Sequence, residues 1–509
     1  MIKRKRLIMV LIICMMAAFI PQVVGAHMET AGDITKTGVD FLTNPPQEEI
    51  SYTAGNGTVT YTPGNDGNNA KITLNNATIN GSMRIIYQSP NSASAALFAT
   101  GNIDLVLIGQ NNITVTKNGC QGLFFYHSNV TVKGTGSLTI DTTAIDTYGL
   151  SPFSILGSNY DTPEETGNFT LESGSLTIKV KQREFAICLS APKDIIIKGG
   201  TLEIEGSNYS IESVSGDIVI SGGTVICRDF AAKGISSYNG DIIISGNDTS
   251  VTLTSLDKDK YSMGIYTERE LKDDMTGGCV FIEGGNINVS AGQCGIYTHL
   301  GGTISISGGT VTAEADNQTG DGIAVGIYSK GKIDITGGRV NAIGKGAENV
   351  QRYGIYSDES ISVSGGDATF IGIDGAITSI PDVSGCENAI ITAATDFEGN
   401  NIQEYNENNI EDYKYLNIKN NEYSIDFVDG ITVINAVEDI NAVVIFASYD
   451  SAGILSDVEI KQVDLVKGNN SIIPDSFSFE QGKTVKIMLL SEMDNINPLC
   501  SAKTVYAVK

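Results

Sequence analysis

The chain of 509 residues contains no tryptophan, only three histidines and few basic residues. Lysine and arginine number 33 against 59 aspartates and glutamates, which gives a formal net charge of −26. This composition is unusual for an enzyme of such length. A surface this acidic repels nucleic acid and anionic lipid, so we expect neither as a partner. It also repels an acidic polysaccharide unless Ca²⁺ bridges the two.

Long apolar segments are missing beyond the N-terminus. A basic start at 3–6, an apolar run from Leu7 to Ile20 and a small-residue exit at Val24-Gly25-Ala26 predict a signal peptide over residues 1–26. Ile13 precedes Cys14 where a lipidation motif has Gly or Ala, so we expect cleavage without lipidation. No later segment reaches the ~20 apolar residues of a membrane span. The sequence therefore predicts a secreted protein, extracellular or loosely attached to a cell wall, without membrane insertion.

Paired cysteines are missing as well. Seven of the eight cysteines remain after the predicted cleavage, and none forms a CxxC pair. The odd count and wide spacing argue against a disulfide framework and against a zinc site. Several cysteines fall at inward positions of predicted strands, where a thiol behaves as a small apolar group. We predict buried free thiols.

An internal repeat is the strongest positive signal. Its first element is Gly-Ile-Tyr-Thr/Ser, with looser copies centred on Ile187, Ile211, Ile235 and Ile377. The clear copies are Gly264-Ile265-Tyr266-Thr267, Gly295-Ile296-Tyr297-Thr298, Gly326-Ile327-Tyr328-Ser329 and Gly354-Ile355-Tyr356-Ser357. Counting back, the series continues through Leu123, Leu97 and Ile72. A repeat with a period of a few tens of residues indicates a solenoid or a propeller.

The second element decides between these architectures. It reads x-Ile-x-Ile-Ser-Gly-Gly, as in Thr303 to Gly309, and apolar residues alternate with polar ones, which predicts strands. Each unit holds about three short strands, whereas a propeller blade needs four antiparallel ones. The Gly-Gly pair supplies the positive φ of a sharp corner. Asp217 and Asp241 recur at strand starts as turn-capping residues. The sequence thus predicts stacked coils.

The predicted fold class is all-β: a right-handed parallel β-helix of about ten coils followed by a small β-sandwich. The β-helix is expected over 50–382, with a cap at 27–49 because open sheet ends promote aggregation. A second capping or linker segment is expected at 383–419. Strand-like segments and turns over 420–509 predict a sandwich of immunoglobulin or fibronectin type.

Two resemblances follow from these residues. The Ile-Ser-Gly-Gly-Thr-Val runs at 220–225 and 306–311 resemble the secreted carbohydrate-binding β-helix proteins of Gram-positive bacteria, which are similar in fold to pectate lyases. The tail from Gly482 to Ser491 resembles a clostridial-type C-terminal sandwich module, which usually has tryptophan where this chain has Leu490. The resemblance implies a glycan-binding β-helix, with the C-terminal module as a spacer.

The tyrosines of the repeat are the predicted ligand-binding residues. In each copy isoleucine points inward, so the next side chain points outward. Tyr266, Tyr297, Tyr328 and Tyr356 therefore form a tyrosine ladder on four consecutive coils. A tyrosine ring can stack on a sugar, and its hydroxyl can bond the sugar hydroxyls. The alternative is a self-stacking column that stiffens the coils.

Loops beside the ladder carry charged residues. Arg352 lies among them and is a further predicted ligand-binding residue. Asp257, Asp259, Asp316 and Asp321 are predicted calcium ligands, because clustered carboxylates on loops suit Ca²⁺. The alternative is a set of solvated acidic loops.

Three functions remain open. We favour a non-catalytic polysaccharide-binding or cell-surface protein whose partner is a plant or bacterial cell-wall glycan. The second is a calcium-dependent, pectate-lyase-like polysaccharide lyase, which requires a Lys or Arg base and Ca²⁺ held by aspartates. The third is a structural adhesin that presents its loops to a protein. Neither a catalytic residue nor a cofactor other than possible calcium is predicted.

Overall fold

A computed structural model describes residues 32–65, 67–88, 91–143, 151–156, 167–181, 186–256, 261–268, 278–386, 389–420, 424–428, 431–436, 439–450, 454–477, 479, 483–491 and 503–506. The predicted signal peptide lies outside these residues. The chain forms two compact units, Met1–Gly385 with Ile391–Ile418, and Cys386–Ile390 with Lys419–Lys509. In the part of the chain that the structure describes, no helix has the length and apolar character needed to cross a membrane.

The first unit is built from three long sheets whose successive strands come from successive turns of the chain. Almost all of these strands pair in parallel, so the fold is that of a parallel β-helix. Sheet 1 has 13 strands. They are Val39–Phe41, Met83–Gln88, Asn91–Thr100, Gln121–Tyr126, Phe153–Leu156, Ile187–Ala191, Tyr209–Ser213, Lys233–Ser237, Met263–Thr267, Cys294–Thr298, Ile323–Ser329, Gln351–Ser357 and Gly375–Ile377.

Sheets 2 and 3 complete each coil. The 13 strands of sheet 2 are Ile50–Ala54, Gly57–Thr62, Ala70–Asn75, Ile103–Ile108, Val130–Gly134, Phe169–Leu171, Ile195–Ile197, Ile218–Ile220, Ile242–Ile244, Val280–Ile282, Ile304–Ile306, Ile333–Ile335 and Ile361–Val363. The 14 strands of sheet 3 are Thr78–Ile79, Gln110–Thr114, Ser137–Asp141, Ser175–Lys179, Thr201–Glu205, Thr224–Phe230, Ser250–Ser255, Asn286–Ala291, Thr310–Asn317, Arg339–Gly346, Asp367–Gly372, Ala389–Ala394, Ile402–Glu404 and Tyr415–Asn420.

The ends of the stack depart from the parallel pattern. The hairpin of Ile50–Ala54 and Gly57–Thr62 is antiparallel, and its second strand also pairs antiparallel with Ala70–Asn75. At the other end, Ala389–Ala394 pairs antiparallel with Ile402–Glu404, and a 3₁₀ turn follows at Glu407–Asp412. The predicted cap segment 27–49 is more than a cap, because Val39–Phe41 already pairs in parallel with Asn91–Thr100.

The interior of the stack is filled by columns of equivalent apolar residues. Along sheet 1 each member of the column lies opposite the next in register, and each described member is almost fully buried. The column is Val39, Leu97, Leu123, Phe153, Leu189, Ile211, Ile235, Ile265, Ile296, Ile327, Ile355 and Ile377. Two residues that were predicted to belong to this column do not. Ile72 pairs with Leu105 in sheet 2, and Leu189 takes the core position that was predicted for Ile187.

The corners between strands follow from backbone chemistry. The second glycine of each pair at 199–200, 222–223, 284–285, 308–309, 337–338 and 365–366 has a φ between +75° and +86°. This region favours glycine, because other residues meet steric strain there. Asp217 Oδ1 accepts the Asp241 N–H at 2.8 Å, and Asp241 Oδ1 accepts the Cys279 N–H at 2.7 Å. The predicted turn-capping role of these aspartates is therefore confirmed.

The cysteines in the described part of the chain are free thiols, as the sequence predicts. Cys188, Cys227 and Cys294 are fully buried. Burial raises the pKa of Cys227 to about 12 and raises the pKa of the other two thiols as well. These thiols are therefore packing groups rather than reactive ones.

The second unit contains two small antiparallel sheets. Sheet 4 consists of Ser424–Val428, Ile431–Ala436 and Gly468–Ile472, and sheet 5 of Ile440–Tyr449, Leu455–Leu465, Thr484–Leu490 and Lys503–Tyr506. One apolar cluster takes residues from both sheets, including Ile434 from sheet 4 and Phe446 and Ile487 from sheet 5.

Candidate functional site on the outer face of sheet 1

Each residue of the Gly-Ile-Tyr-Thr copy at 295–298 has a separate structural role. A Cβ on Gly295 would lie 2.6 Å from a backbone oxygen of the next coil, so only glycine fits. Ile296 fills the interior with no exposed surface. Tyr297 takes the outward position, and Thr298 Oγ1 donates to the Gly302 carbonyl at 2.8 Å, which closes the turn. The repeat therefore orients one tyrosine per coil.

The four tyrosines of the ladder lie in register, as predicted. Tyr266 pairs with Tyr297, Tyr297 with Tyr328, and Tyr328 with Tyr356. The first pair of rings stacks with 5.6 Å between centroids and 13° between planes. The next two pairs meet edge to face, with centroids 5.0 and 4.7 Å apart. Both geometries are favourable for neighbouring aromatic rings.

The ladder is largely shielded from water. Tyr266, Tyr297 and Tyr328 are only 5, 8 and 8% exposed, while Tyr356 is half-buried. They pack with Cys294 and Val325, which also point outward. Burial raises the pKa of the Tyr297 hydroxyl. The rings therefore form a covered aromatic column rather than an open platform, and a sugar would find free ring surface mainly at the Tyr356 end.

Arg352 lies near that end and is held by an acidic partner. Its Nε and Nη2 atoms donate to the two carboxylate oxygens of Asp374 at 2.9 and 2.7 Å, and Nη1 donates to the Gly346 carbonyl at 3.3 Å. Hydrogen bonds from Arg352 lower the pKa of Asp374, and Asp374 in turn raises the pKa of Arg352. A bidentate pair of this kind positions the arginine firmly.

The predicted calcium ligands are only partly described. Asp257 and Asp259 lie outside the described residues. Asp316 is 7% exposed and accepts a hydrogen bond from Gln318 Nε2, whereas Asp321 is exposed. Among the residues that the structure describes, no three His, Cys, Asp or Glu side chains come close enough together to hold a metal ion.

A second section of the same face was not anticipated from the sequence. The outward column that contains the ladder continues toward the N-terminus in unbroken register. Its residues there are Ser236, Glu212, Ser190 and Ser154, followed by Phe124 and Phe98. Small polar side chains thus lie between two aromatic groups. We call Ser154, Ser190, Glu212 and Ser236 the polar section.

Two residues of the polar section are shielded from water as well, whereas Ser190 and Glu212 are half-buried. Ser154 is 8% exposed and Ser236 is 2% exposed, although both point away from the core of the β-helix. Lys233, which also points outward, is 6% exposed, and its Nζ lies 2.7 Å from the centroid of the Tyr266 ring. Polar groups seldom become buried unless they gain partners. This section is therefore unlike an ordinary solvated strand face.

Glu212 is the most unusual member of the section. It is half-buried, and within the described structure its carboxylate accepts no hydrogen bond. Burial raises its pKa to about 7; Lys233 opposes that rise, and Glu268 adds to it. A carboxylate with a pKa so far from its ordinary value is a candidate functional group.

Gln121 supplies a further unsatisfied group on this face. It stands two residues before Leu123, as Lys233 stands two residues before Ile235. It is 7% exposed, and its Oε1 atom has no hydrogen-bond partner in the described part of the chain. An orphaned buried acceptor costs free energy, so it needs an explanation.

The register could have pointed to Glu212. It follows Ile211, which the repeat identifies as a core position, so its outward direction was readable. The burial of Glu212 could not be predicted in this way, because strand alternation gives the direction of a side chain and not its exposure to solvent.

Comparisons with known proteins give no relative: no protein-family model, curated protein or solved structure matches this chain. The fold and the site therefore define only a class, a parallel β-helix protein with a partly covered aromatic and polar outer face.

Proposed function

We propose that this chain is a secreted, non-catalytic protein that binds polysaccharide along the outer face of sheet 1. The tyrosine ladder would form the aromatic end of the binding track and the polar section its hydrogen-bonding part. The in-register outer column carries the proposal, because it repeats one side chain per coil at ~4.8 Å, a step comparable to one sugar residue. A polymer with its own repeat would meet equivalent positions on successive coils.

The finer features of the fold belong to the same proposal. We take the β-helix as right-handed, because connections between parallel strands of one sheet are nearly always right-handed. We take the second unit as a β-sandwich module that acts as a spacer. Two antiparallel sheets that share one apolar core support this assignment. Secretion rests on the signal peptide predicted at 1–26.

The charge of the chain limits the partner. A net charge of −26 favours a neutral glycan over nucleic acid, anionic lipid or an unbridged acidic polymer. Calcium remains part of the proposal through Asp257, Asp259, Asp316 and Asp321. Binding should therefore be measured with and without Ca²⁺.

The test is retention of purified protein on a panel of insoluble plant and bacterial cell-wall polysaccharides. Ser190→Trp places a bulky side chain in the polar section and should abolish retention. Ser305→Trp is the matched control, because Ser305 is an equally half-buried outward serine in the strand Ile304–Ile306 of sheet 2. Equal retention of both variants would show that the polysaccharide does not bind at the polar section of sheet 1. No retention of the wild type on any polymer would favour the structural adhesin instead.

A further inference from the structure

The second unit has a long edge strand with one free side. Leu455–Leu465 is the outermost strand of sheet 5, and among the described strands it pairs only with Ile440–Tyr449. It has 11 residues, whereas Lys503–Tyr506 at the opposite edge of the sheet has four. The free side of an edge strand presents backbone groups that can pair with a strand from another chain.

Apolar side chains of this strand are open to solvent. Leu455, Val458 and Ile460 are 52, 48 and 51% exposed. Ile460 lies opposite Ile445, which in turn lies opposite Met488 on the next strand. These three side chains form an apolar row that crosses sheet 5 and ends at its free edge. Exposed and contiguous apolar surface of this kind marks a site of association.

Opposite charges flank Ile460 at fixed places. The Glu459 carboxylate accepts the backbone N–H groups of 475–477 at 2.6–2.7 Å, and Lys461 Nζ donates to the Ile473 carbonyl at 2.8 Å. Unpaired charges on an edge strand deter pairing. Here both charges are held by their own chain, so they do not have to lose their partners when another strand approaches.

The order of these charges is self-complementary. If the strand pairs antiparallel with its own copy and Ile460 lies opposite Ile460, then Glu459 of each chain faces Lys461 of the other. A two-fold axis relates the two strands in such a pair. Shifting the axis to Glu459 or to Lys461 places two like charges directly opposite, which is destabilising. The charge pattern therefore favours the register centred on Ile460 over its two neighbours.

We propose that two copies of this chain associate through antiparallel pairing of their Leu455–Leu465 strands, centred on Ile460. The pairing joins two copies of sheet 5 edge to edge and brings their apolar rows end to end. One strand per copy gives a small interface, so the dimer is reversible, with a Kd on the order of 10 μM. This association is independent of the proposed glycan binding.

Sedimentation velocity of the full chain tests the association. Between about 1 and about 200 μM the wild type should pass from monomer to dimer. Ile460→Lys places two ammonium groups opposite each other and should weaken the dimer at least about tenfold. Ile402→Lys is the matched control, since Ile402 is a 66% exposed isoleucine in a sheet 3 strand, and it should leave the dimer intact. Circular dichroism verifies that both variants are folded.

Cysteine cross-linking tests the register. Directly opposed residues of antiparallel strands have Cα atoms about 4.5–5.5 Å apart, which suits a disulfide. Ile460→Cys should therefore give a covalent dimer under mild oxidation. Val458→Cys, on the same strand and equally exposed, should not, because its two copies stand about 13 Å apart along the strands. The wild type gives the background from the native thiols.

Each result decides the matter in one direction. A wild type that stays monomeric at every concentration overturns the proposal and leaves the edge to a strand of another protein. A dimer that Ile460→Lys does not weaken forms elsewhere on the chain and overturns it as well. Equal cross-linking of the two cysteine variants overturns the register centred on Ile460. A dimer lost in Ile460→Lys and cross-linked only through Ile460→Cys supports the proposal in full.

Discussion

The tyrosine ladder and the polar section occupy one outward column of sheet 1, yet their side chains differ in whether they find partners within the column. In the ladder, rings satisfy one another, since each pair lies 4.7–5.6 Å apart between centroids. In the polar section, Ser154 and Ser236 are nearly excluded from water, and the half-buried Glu212 accepts no hydrogen bond in the described structure. A repeat that satisfies itself is structural, and the place where the repeat is broken is the better candidate for binding.

The largest expected difference between these sections is in stability. Tyr297→Ala should lower the free energy of unfolding by about 3–4 kcal/mol, because it removes a buried ring and leaves a cavity between two others. Ser190→Ala should change it by less than about 0.5 kcal/mol. Urea unfolding followed by circular dichroism measures both. Similar losses in the two variants would contradict a structural ladder.

A second difference concerns pH. The pKa of Glu212 is raised from 4.5 to about 7 in the folded protein, chiefly by burial. A raised carboxyl pKa means that ionisation opposes folding, so its penalty is absent below about pH 4.5, grows up to pH 7 and is constant above. Glu212→Gln should therefore stabilise the fold by about 2–3 kcal/mol at pH 8 and not at pH 4.

Thermal unfolding at the two pH values checks this prediction, with Glu205→Gln as the control. An equal effect of Glu212→Gln at both pH values would show that Glu212 ionises normally in the folded chain. The carboxylate would then be an ordinary surface group, and the contrast with the ladder would disappear.

The sequence predicted the stacking of the coils because isoleucine marks the core position in the last seven of the twelve strands of the sheet 1 column. It failed at the fifth strand of the core column, where Cys188 and Leu189 take the positions of glycine and isoleucine in the motif. With its glycine marker gone, that copy was centred two residues early, on Ile187. Because of the same two-residue error, Ser190 was not predicted to belong to the outward column.

The candidate site was predicted less well than the fold. Alternation gave the direction of Tyr297 and of Glu212, but their burial depends on how neighbouring side chains pack on the outer face, and no repeat in the sequence marks that packing. The pairing of Arg352 with Asp374 joins residues 22 positions apart in different coils, and no periodic signal marks it.

A smaller effect tests the boundary between the two sections. The Lys233 ammonium over the Tyr266 ring should give a coupling free energy of about 1 kcal/mol in a double-mutant cycle of Lys233→Met and Tyr266→Leu. Lys330 lies 5.1 Å from the Tyr328 centroid and is more exposed, so its coupling should be smaller. Additive effects in the first cycle would mean that the Lys233 ammonium and the Tyr266 ring do not stabilise each other.

The smallest expected effect concerns Arg352, whose ligand-binding role stays a prediction. The side chain is 12% exposed and forms two bonds to Asp374, so Arg352→Gln should cost about 1 kcal/mol. Arg339, 72% exposed in its pair with Asp367, should cost close to nothing when changed to Gln. Both values come from urea unfolding at low and high salt. If Arg352→Gln is stable but loses retention on polysaccharide, Arg352 contacts the ligand, and the Tyr356 end of the ladder is part of the binding track, as proposed.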